Sequence, residues 1–319
     1  MLWRARLLRS RRPEGGGRRS GYWLLVAGCL SLAAGYWLLA RREGQPATGN
    51  QQPVTALRIT YIGHATLLLE LGGATILTDP NFDPKLGRIL PRVSPPGIAL
   101  ENLPALDAIL LTHAHADHLS FDSLERLPKK IPLLAPPVVA KWLRRLGHTH
   151  AVDLAPDENI RVSGVNIHAA SATHRGNRYG YDRWRSAANM YLIDDAKGDT
   201  LFFAGDTALV SDTHRMVERV LWEKDRELDL ALLPIGYAPW WKPGFRKGHL
   251  THDDALTLFE KLRARLFVPY HWGTFRHVTS TAHDAIRRLR QRLESHHLRS
   301  AVRIVEPGES LDVNAALQQ

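Results

Sequence analysis

The chain of 319 residues has a single cysteine, Cys29, and three methionines. One cysteine cannot close a disulfide within the chain, and Cys29 lies inside an apolar run, so cysteine usage says nothing about redox compartment. No repeat of fixed period and no low-complexity tract interrupts the sequence. Outside the first forty residues there is also little excess charge. The whole chain carries a formal +10, but residues 1–42 hold nine Arg and one acid, Glu14, for a net +8, so only +2 is left for the remainder. The basicity therefore belongs to the N-terminus, and the rest lacks the basic surface that nucleic-acid binding requires.

Charge is missing altogether from one stretch. Gly21–Ala40 reads GYWLLVAGCLSLAAGYWLLA. As a helix, twenty residues span about 30 Å, one hydrocarbon core. Tyr22, Trp23, Tyr36 and Trp37 lie near its two ends, as in aromatic belts. Seven Arg precede the run and two follow it, which predicts a single-pass membrane helix with a cytoplasmic N-terminus and the remainder periplasmic or otherwise extracytoplasmic. No small-x-small cleavage site follows, since Leu39-Ala40 leads straight into Arg41, so an uncleaved anchor is preferred over a signal peptide. The expected organisation is a basic segment 1–20, a transmembrane helix 21–40, a polar linker 41–56 and one further domain 57–319.

The domain is organised around Thr112-His113-Ala114-His115-Ala116-Asp117-His118, in which four metal-capable side chains fall within six residues. The apolar run Ala108–Leu111 precedes it as a buried strand, and Ser120 follows as the N-cap of a helix. The cluster thus lies on a loop at the C-terminal end of a strand, where open α/β folds place their sites. His113 and His115, two apart, present both imidazoles to one side and can grip one metal. Asp117 and His118 turn away and can grip a second. Imidazole with carboxylate suits zinc or iron and not an all-oxygen calcium cage.

Other strands end the same way. The strand Val162–Ala169 leads to His174, the apolar strand Thr200–Thr207 ends in Asp206 after Gly205, and Leu266–Tyr270 leads to His271. A carboxylate has two oxygens, so Asp206 can bridge two metals. His64, between Gly63 and Ala65 after the strand Leu57–Ile62, reads as a supporting residue beside the ligands. Residues 81–104 read as a long Pro- and Gly-rich loop, and a helix opens at Thr251 or His252. Pro239-Trp240-Trp241-Lys242-Pro243-Gly244-Phe245-Arg246-Lys247 combines three aromatics with three cations. This suits either a membrane–water interface or a loop folded over the pocket, and makes Trp240 and Trp241 candidate substrate contacts.

Gly63-His64-Ala65-Thr66, Leu77-Thr78-Asp79-Pro80, the HxHxDH loop, Phe203-Ala204-Gly205-Asp206-Thr207, Leu233-Pro234-Ile235-Gly236, His249 and His271-Trp272-Gly273-Thr274-Phe275 occur together. The set, over roughly residues 57–278, resembles the metallo-β-lactamase superfamily. Within it the set is similar to the branch of N-acyl-phosphatidylethanolamine-hydrolysing phospholipases D, which also resembles the ascorbate-6-phosphate lactonases. The resemblance implies an α/β fold, an αββα sandwich of two mixed sheets with helices outside. It implies two metals, zinc with iron as the other candidate. His113, His115 and His174 would hold one, Asp117, His118 and His271 the other, and Asp206 would be shared. His249 would be a non-ligand active-site and substrate-binding histidine, with Asp117 and His249 as the catalytic pair. The implied activity is hydrolysis of a lipid phosphodiester by a hydroxide held between the metals. Another metallohydrolase acting on a lactone, small phosphodiester or amide, and a membrane-tethered binding protein, are the alternatives. The chain departs from the branch in having Ala116 where the phospholipases carry an aromatic, and in lacking their Trp after His174. The partners expected are thus a lipid or other phosphodiester and the membrane, with no nucleic acid.

Overall fold

The computed structural model describes residues 56–87, 89–178, 187–236, 244–276 and 280–319. Every structural statement below concerns the unit of residues 51–319. The expected membrane helix Gly21–Ala40, the linker and the Trp240-Trp241 pair lie outside the described residues. Among the described residues no helix is long and apolar enough to cross a membrane.

Two mixed sheets form the unit. The chain opens with the meander β1 (Arg58–Gly63), β2 (Thr66–Leu71) and β3 (Ala74–Thr78). A small hairpin, β4 (Lys85–Leu86) with β5 (Leu90–Pro91), interrupts the long loop before β6 (Ala108–Leu110). Then come α1 (Phe121–Arg126), β7 (Leu133–Ala135), α2 (Pro137–Arg145) and β8 (Ala151–Asp153). The second sheet is built from β9 (Asn159–Val162), β10 (Val165–Ser171), β11 (Asn189–Asp195) and β12 (Thr200–Phe203). After α3 (Arg215–Val220) it takes β13 (Leu228–Pro234) and, after α4 (His252–Leu262), β14 (Ala264–Tyr270). Helix α5 (Asp284–Leu293), strand β15 (Ser310–Asp312) and helix α6 (Val313–Ala316) follow. The first sheet runs β15-β1-β2-β3-β6-β7-β8 and the second β14-β13-β12-β11-β10-β9.

Alternation along the strands decides which core each residue enters. Ile59, Tyr61, Leu67, Leu69, Ile76 and Leu110 point between the sheets, where they share one core with Ile167, Tyr191, Ile193, Phe203 and Leu232. Their neighbours Ile62, Leu68, Leu77 and Ile109 face outward, against Leu124 of α1 and Val139, Ala140 and Leu143 of α2. Strands covered on both faces read as continuous apolar runs, which is why they are visible in the sequence. Ser120 caps α1 as expected, its side chain accepting from the Ser123 amide. Val162–Ala169 is not one strand. Ser163, with φ +49°, and Gly164 turn the chain between β9 and β10, whose register pairs Val162 with Val165.

Strand direction gathers the site. β3, β6 and β7 are mutually parallel, and β1 runs with them because two antiparallel steps separate it from β3. β12, β13 and β14 are also parallel, and β10 shares their direction through antiparallel β11. The residues just past β1, β3 and β6 in one sheet, and past β10, β12 and β14 in the other, therefore emerge at one edge of the sandwich.

Candidate metal centre

Each strand delivers its polar residues through an abrupt change of backbone. His64 after β1, Asp79 after β3 and His271 after β14 have φ of +57°, +34° and +72°, conformations that cost a non-glycine residue about 1–3 kcal/mol each. Gly205, at φ +57°, turns the end of β12 toward Asp206. A Cβ there would meet Thr112 Cβ at 2.8 Å, so the close approach of the two loops requires glycine.

Eight side chains form two groups whose ligand atoms, within each group, all lie within 4.8 Å of one another: His113, His115, His174 and Asp206, and His64, Asp117, His118 and His271. His64, His113, His118, His174 and Asp206 are buried, and His115, Asp117 and His271 are partly buried. In the first group His115 Nδ1 lies 3.0 Å from both His113 Nε2 and His174 Nε2. Asp206 stands between the groups. Its Oδ2 is 4.0 Å from His113 Nε2 and His174 Nε2 and 3.4 Å from His118 Nε2, and its Oδ1 is 3.4 Å from His271 Nε2. In the second group Asp117 Oδ2 is 3.0 Å from His64 Nε2, 3.7 Å from His271 Nε2 and 3.9 Å from His118 Nε2.

Hydrogen bonds behind the rings determine which nitrogen faces inward. Carbonyl and carboxylate oxygens can only accept, so His174 Nδ1–H donates to the Gly248 carbonyl at 2.6 Å and His118 Nδ1–H donates to Asp79 Oδ2 at 2.7 Å. The Thr112 hydroxyl donates to Asp79 Oδ2 at 2.6 Å and so accepts from His113 Nδ1 at 3.0 Å. Each of these histidines thus turns an Nε2 lone pair into the centre, the arrangement by which outer partners orient metal-binding imidazoles.

The donor set fits metal ions on an observation of its own. His118 Nε2, His271 Nε2 and Asp206 Oδ1 are buried polar atoms with no hydrogen-bond partner among the described residues, and both nitrogens lie 3.4 Å from an oxygen of Asp206. Buried orphans of this kind are costly unless something satisfies them. The protonation states agree. Burial, with neighbouring imidazoles adding to it, holds His113 well below its ordinary value and lowers His174 to about 4 and His64 to about 3. Burial resists the charges of Asp117 and Asp206, yet the surrounding histidines keep both carboxyls well below the usual carboxylate range. His118 moves the other way. Against burial, the carboxylates of Asp206, Asp117 and Asp79 raise it well above its ordinary value. The carboxylates thus draw a positive charge into the centre while burial keeps His113 and His174 neutral, the setting in which a divalent cation can take the place of the proton on His118.

His249 Nε2 lies 3.5 Å from Asp206 Oδ2, and its side chain is 32% exposed, so it stands at the rim. His64, expected as a supporting residue, hydrogen-bonds Asp117, stacks at 3.8 Å on His271 and accepts the His271 amide on its carbonyl. Two further residues carry weight that the sequence did not announce. Asp79, fully buried, holds His118 and both the amide and the hydroxyl of Thr112. Asn81 Nδ2 donates to the Ala116 carbonyl at 3.0 Å and so fixes the metal loop from the other side. The available signal was their place just past a strand parallel to β6. Trp240 and Trp241 are not among the described residues.

Known proteins agree with this architecture. The family described as "Beta-lactamase superfamily domain" matches residues 74–272. A UPF0173 metal-dependent hydrolase of Opitutus terrae is 30% identical over 261 residues, 81% of this chain and 100% of that protein. The mitochondrial N-acyl-phosphatidylethanolamine-hydrolyzing phospholipase D of Saccharomyces cerevisiae is 31% identical over 226 residues, 68% of this chain but 47% of its own length, so the chain spans about half of that relative. The crystal structure of an isothiocyanate hydrolase from Delia radicum gut bacteria covers 80% of this chain and 98% of its own, with a TM-score of 0.64 at 24% identity, a likeness of fold. The chain therefore belongs to the metallo-β-lactamase superfamily, as a metal-dependent hydrolase.

Proposed function

We propose that the chain is a binuclear hydrolase of phosphodiesters, with phospholipids as the substrate class. The observation that carries the two-metal reading is Asp206, which lies within reach of both groups of ligand atoms: its Oδ2 is 4.0 Å from His113 and His174 Nε2 and 3.4 Å from His118 Nε2, and its Oδ1 is 3.4 Å from His271 Nε2. His113, His115 and His174 would hold one ion and Asp117, His118 and His271 the other, with Asp206 shared. Zinc fits these nitrogen and carboxylate donors, and iron is the alternative. When bound, two such ions supply Lewis-acid polarisation of the phosphodiester oxygens and lower the pKa of a water toward 7.

The chain's own residues do the rest. Asp117, backed by His64, accepts a hydrogen bond from the attacking water and orients it. His249 Nδ1 donates to the Phe245 carbonyl at 3.2 Å, which leaves Nε2, at the exposed rim, as the atom that holds the proton taken by the leaving oxygen. Water attacks phosphorus, the bond from phosphorus to the headgroup oxygen breaks, and the headgroup leaves as an alcohol from phosphatidate.

The lipid class rests on three supports. These are the phospholipase relative, the apolar segment Gly21–Ala40 read as an anchor that places the domain across the membrane, and the aromatic and cationic composition of residues 239–247. Incubating the purified metal-loaded protein with lipid extracts and reading products by mass spectrometry tests it. Metal-dependent release of phosphatidate with the headgroup alcohol is expected. Turnover confined to lactones or amides would overturn the phosphodiester reading.

A further inference from the structure

We propose that Arg246 is a positioning residue, one that locks the five-residue turn Phe245–His249 and through it sets both His174 and His249. The inference rests on the reading of those two histidines as site residues.

The turn touches the centre twice. The Gly248 carbonyl accepts the Nδ1–H of His174, which fixes that ring with its Nε2 toward Asp206. The Phe245 ring stacks on His249 with centroids 4.6 Å apart and planes 18° from parallel, and the Phe245 carbonyl takes the His249 Nδ1–H. One short stretch of backbone therefore supplies the orienting acceptor for a ligand of the first group and for the rim histidine.

A turn of three residues, Phe245–Lys247 in 3₁₀ form, has little rigidity of its own. The surroundings provide it. Arg246 forms a two-point ion pair with Asp254, its Nε donating to Oδ2 at 3.0 Å and its Nη2 bonding Oδ1. A fork of this kind fixes orientation as well as distance, which a lysine cannot reproduce. Asp254 is itself held, because it completes the capping box of α4 with Thr251. The lock thus ties the turn to the first turn of a helix packed on β13 and β14. The opposite wall is Gly236. A Cβ there would overlap the Phe245 ring, and the Gly236 amide donates to the Leu250 carbonyl at 2.9 Å. The aromatic segment 239–243 joins Gly244 directly, so whatever engages those residues is one peptide unit from a turn that orients two residues of the centre.

Arg246 is more than half exposed, so its removal deletes little packing, and it touches none of the ligand atoms. The test compares wild type, Arg246→Lys and Arg246→Ala, loaded with zinc, by chelator competition for zinc affinity and by melting with and without zinc. Turnover of a small soluble phosphodiester gives kcat and KM. For Arg246→Ala, a loss of about 10–100-fold in affinity at one of the two sites is expected, the range seen when outer partners of metal ligands are removed. The zinc-induced rise in melting temperature should shrink and kcat should fall more than KM changes, with Arg246→Lys between the two. A purely structural role would lower the melting temperature equally with and without zinc and leave the affinity unchanged, and that result overturns the proposal. Gly236→Ala displaces Phe245 without touching the ion pair. The same loss at one site is expected of it, and unchanged zinc binding by this variant counts against the turn as the agent. A wild type that binds fewer than two zinc ions fails earlier, at the functional reading itself.

Discussion

The two halves of the centre are built from different materials. The first group brings three imidazoles, and the outer nitrogens of two of them, His113 and His174, rest on the Thr112 hydroxyl and the Gly248 carbonyl, partners without formal charge. The second brings a carboxylate of its own, Asp117, and its His118 leans on another carboxylate, Asp79. The first half is thus close to neutral apart from the shared Asp206, while the second brings two carboxylates together, Asp79 fully buried and Asp117 with its side chain 22% exposed. Burying a charge is expensive unless it is compensated, so the second half depends more heavily on a cation. It should be the half that distorts most when metal is removed.

Substitutions can set the halves against each other. Asp206→Asn strikes both, since it removes the shared charge while keeping the shape. Turnover should fall by about 10³-fold, and metal content measured by atomic emission should drop from near two ions per chain to below one. A variant that keeps two ions and most of its activity would remove Asp206 from the bridge. His174→Ala and Asp79→Asn then separate the groups. The first should empty one site. The second leaves every ligand in place but takes the charge from behind His118, and should weaken only the other site, by about 10–100-fold in a chelator titration. If Asp79→Asn weakens both sites equally, the halves are not independent and the comparison collapses.

A smaller effect is expected away from the centre, where the same residue types do ordinary structural work. Asp194 on β11 accepts from His168 at 2.9 Å and from Arg226 at 2.9 Å. Partial burial opposes its charge, but His168 and Arg226 hold its carboxyl below the usual range. A depressed carboxyl stabilises the folded chain above its unfolded value, about 4, and that contribution is lost as pH falls through the folded value. Asp194→Asn should therefore cost about 1 kcal/mol at neutral pH, with the gap to wild type closing in acid and metal content unchanged. Denaturant melts at pH 7 and pH 3 measure this. A gap that widens in acid would reverse the sign.

The same contrast explains what could be read from sequence. The strands β2, β12, β13 and β14 were legible because they are apolar on both faces, and the ligands at their ends followed from that placement. β11 was not. Its apolar run ends in Asp194, which accepts from Arg226, and in Asp195, whose Oδ1 accepts from the turn amides of Lys197, Gly198 and Asp199, partners invisible in a linear pattern. β9 and β10 merged into one expected strand because nothing but Ser163-Gly164 separates two β-rich stretches. His113, His115, Asp117 and His118 announced themselves by spacing. The part played by Asp79 could not, since it acts on a histidine 39 positions away, nor could the contact of His64 with Asp117, across 53 positions. Local chemistry is written locally, whereas the groups that orient it arrive through the topology of parallel strand ends.

That topology has a consequence for how the protein acquires its metals. The proposed ligands are drawn from positions 113 to 271, in both sheets, so the complete centre exists only after both sheets have docked. The HxHxDH segment, by contrast, is a competent chelator while the chain is still unfolded. Metal captured early at that segment stabilises the unfolded ensemble too, and the native state gains only the difference between the two affinities. Excess zinc during refolding should therefore slow recovery and lower the yield of two-ion protein, while zinc supplied after refolding in chelator should not. In the cell the order of events, first the sandwich and then the ions, would itself be a condition for making active protein.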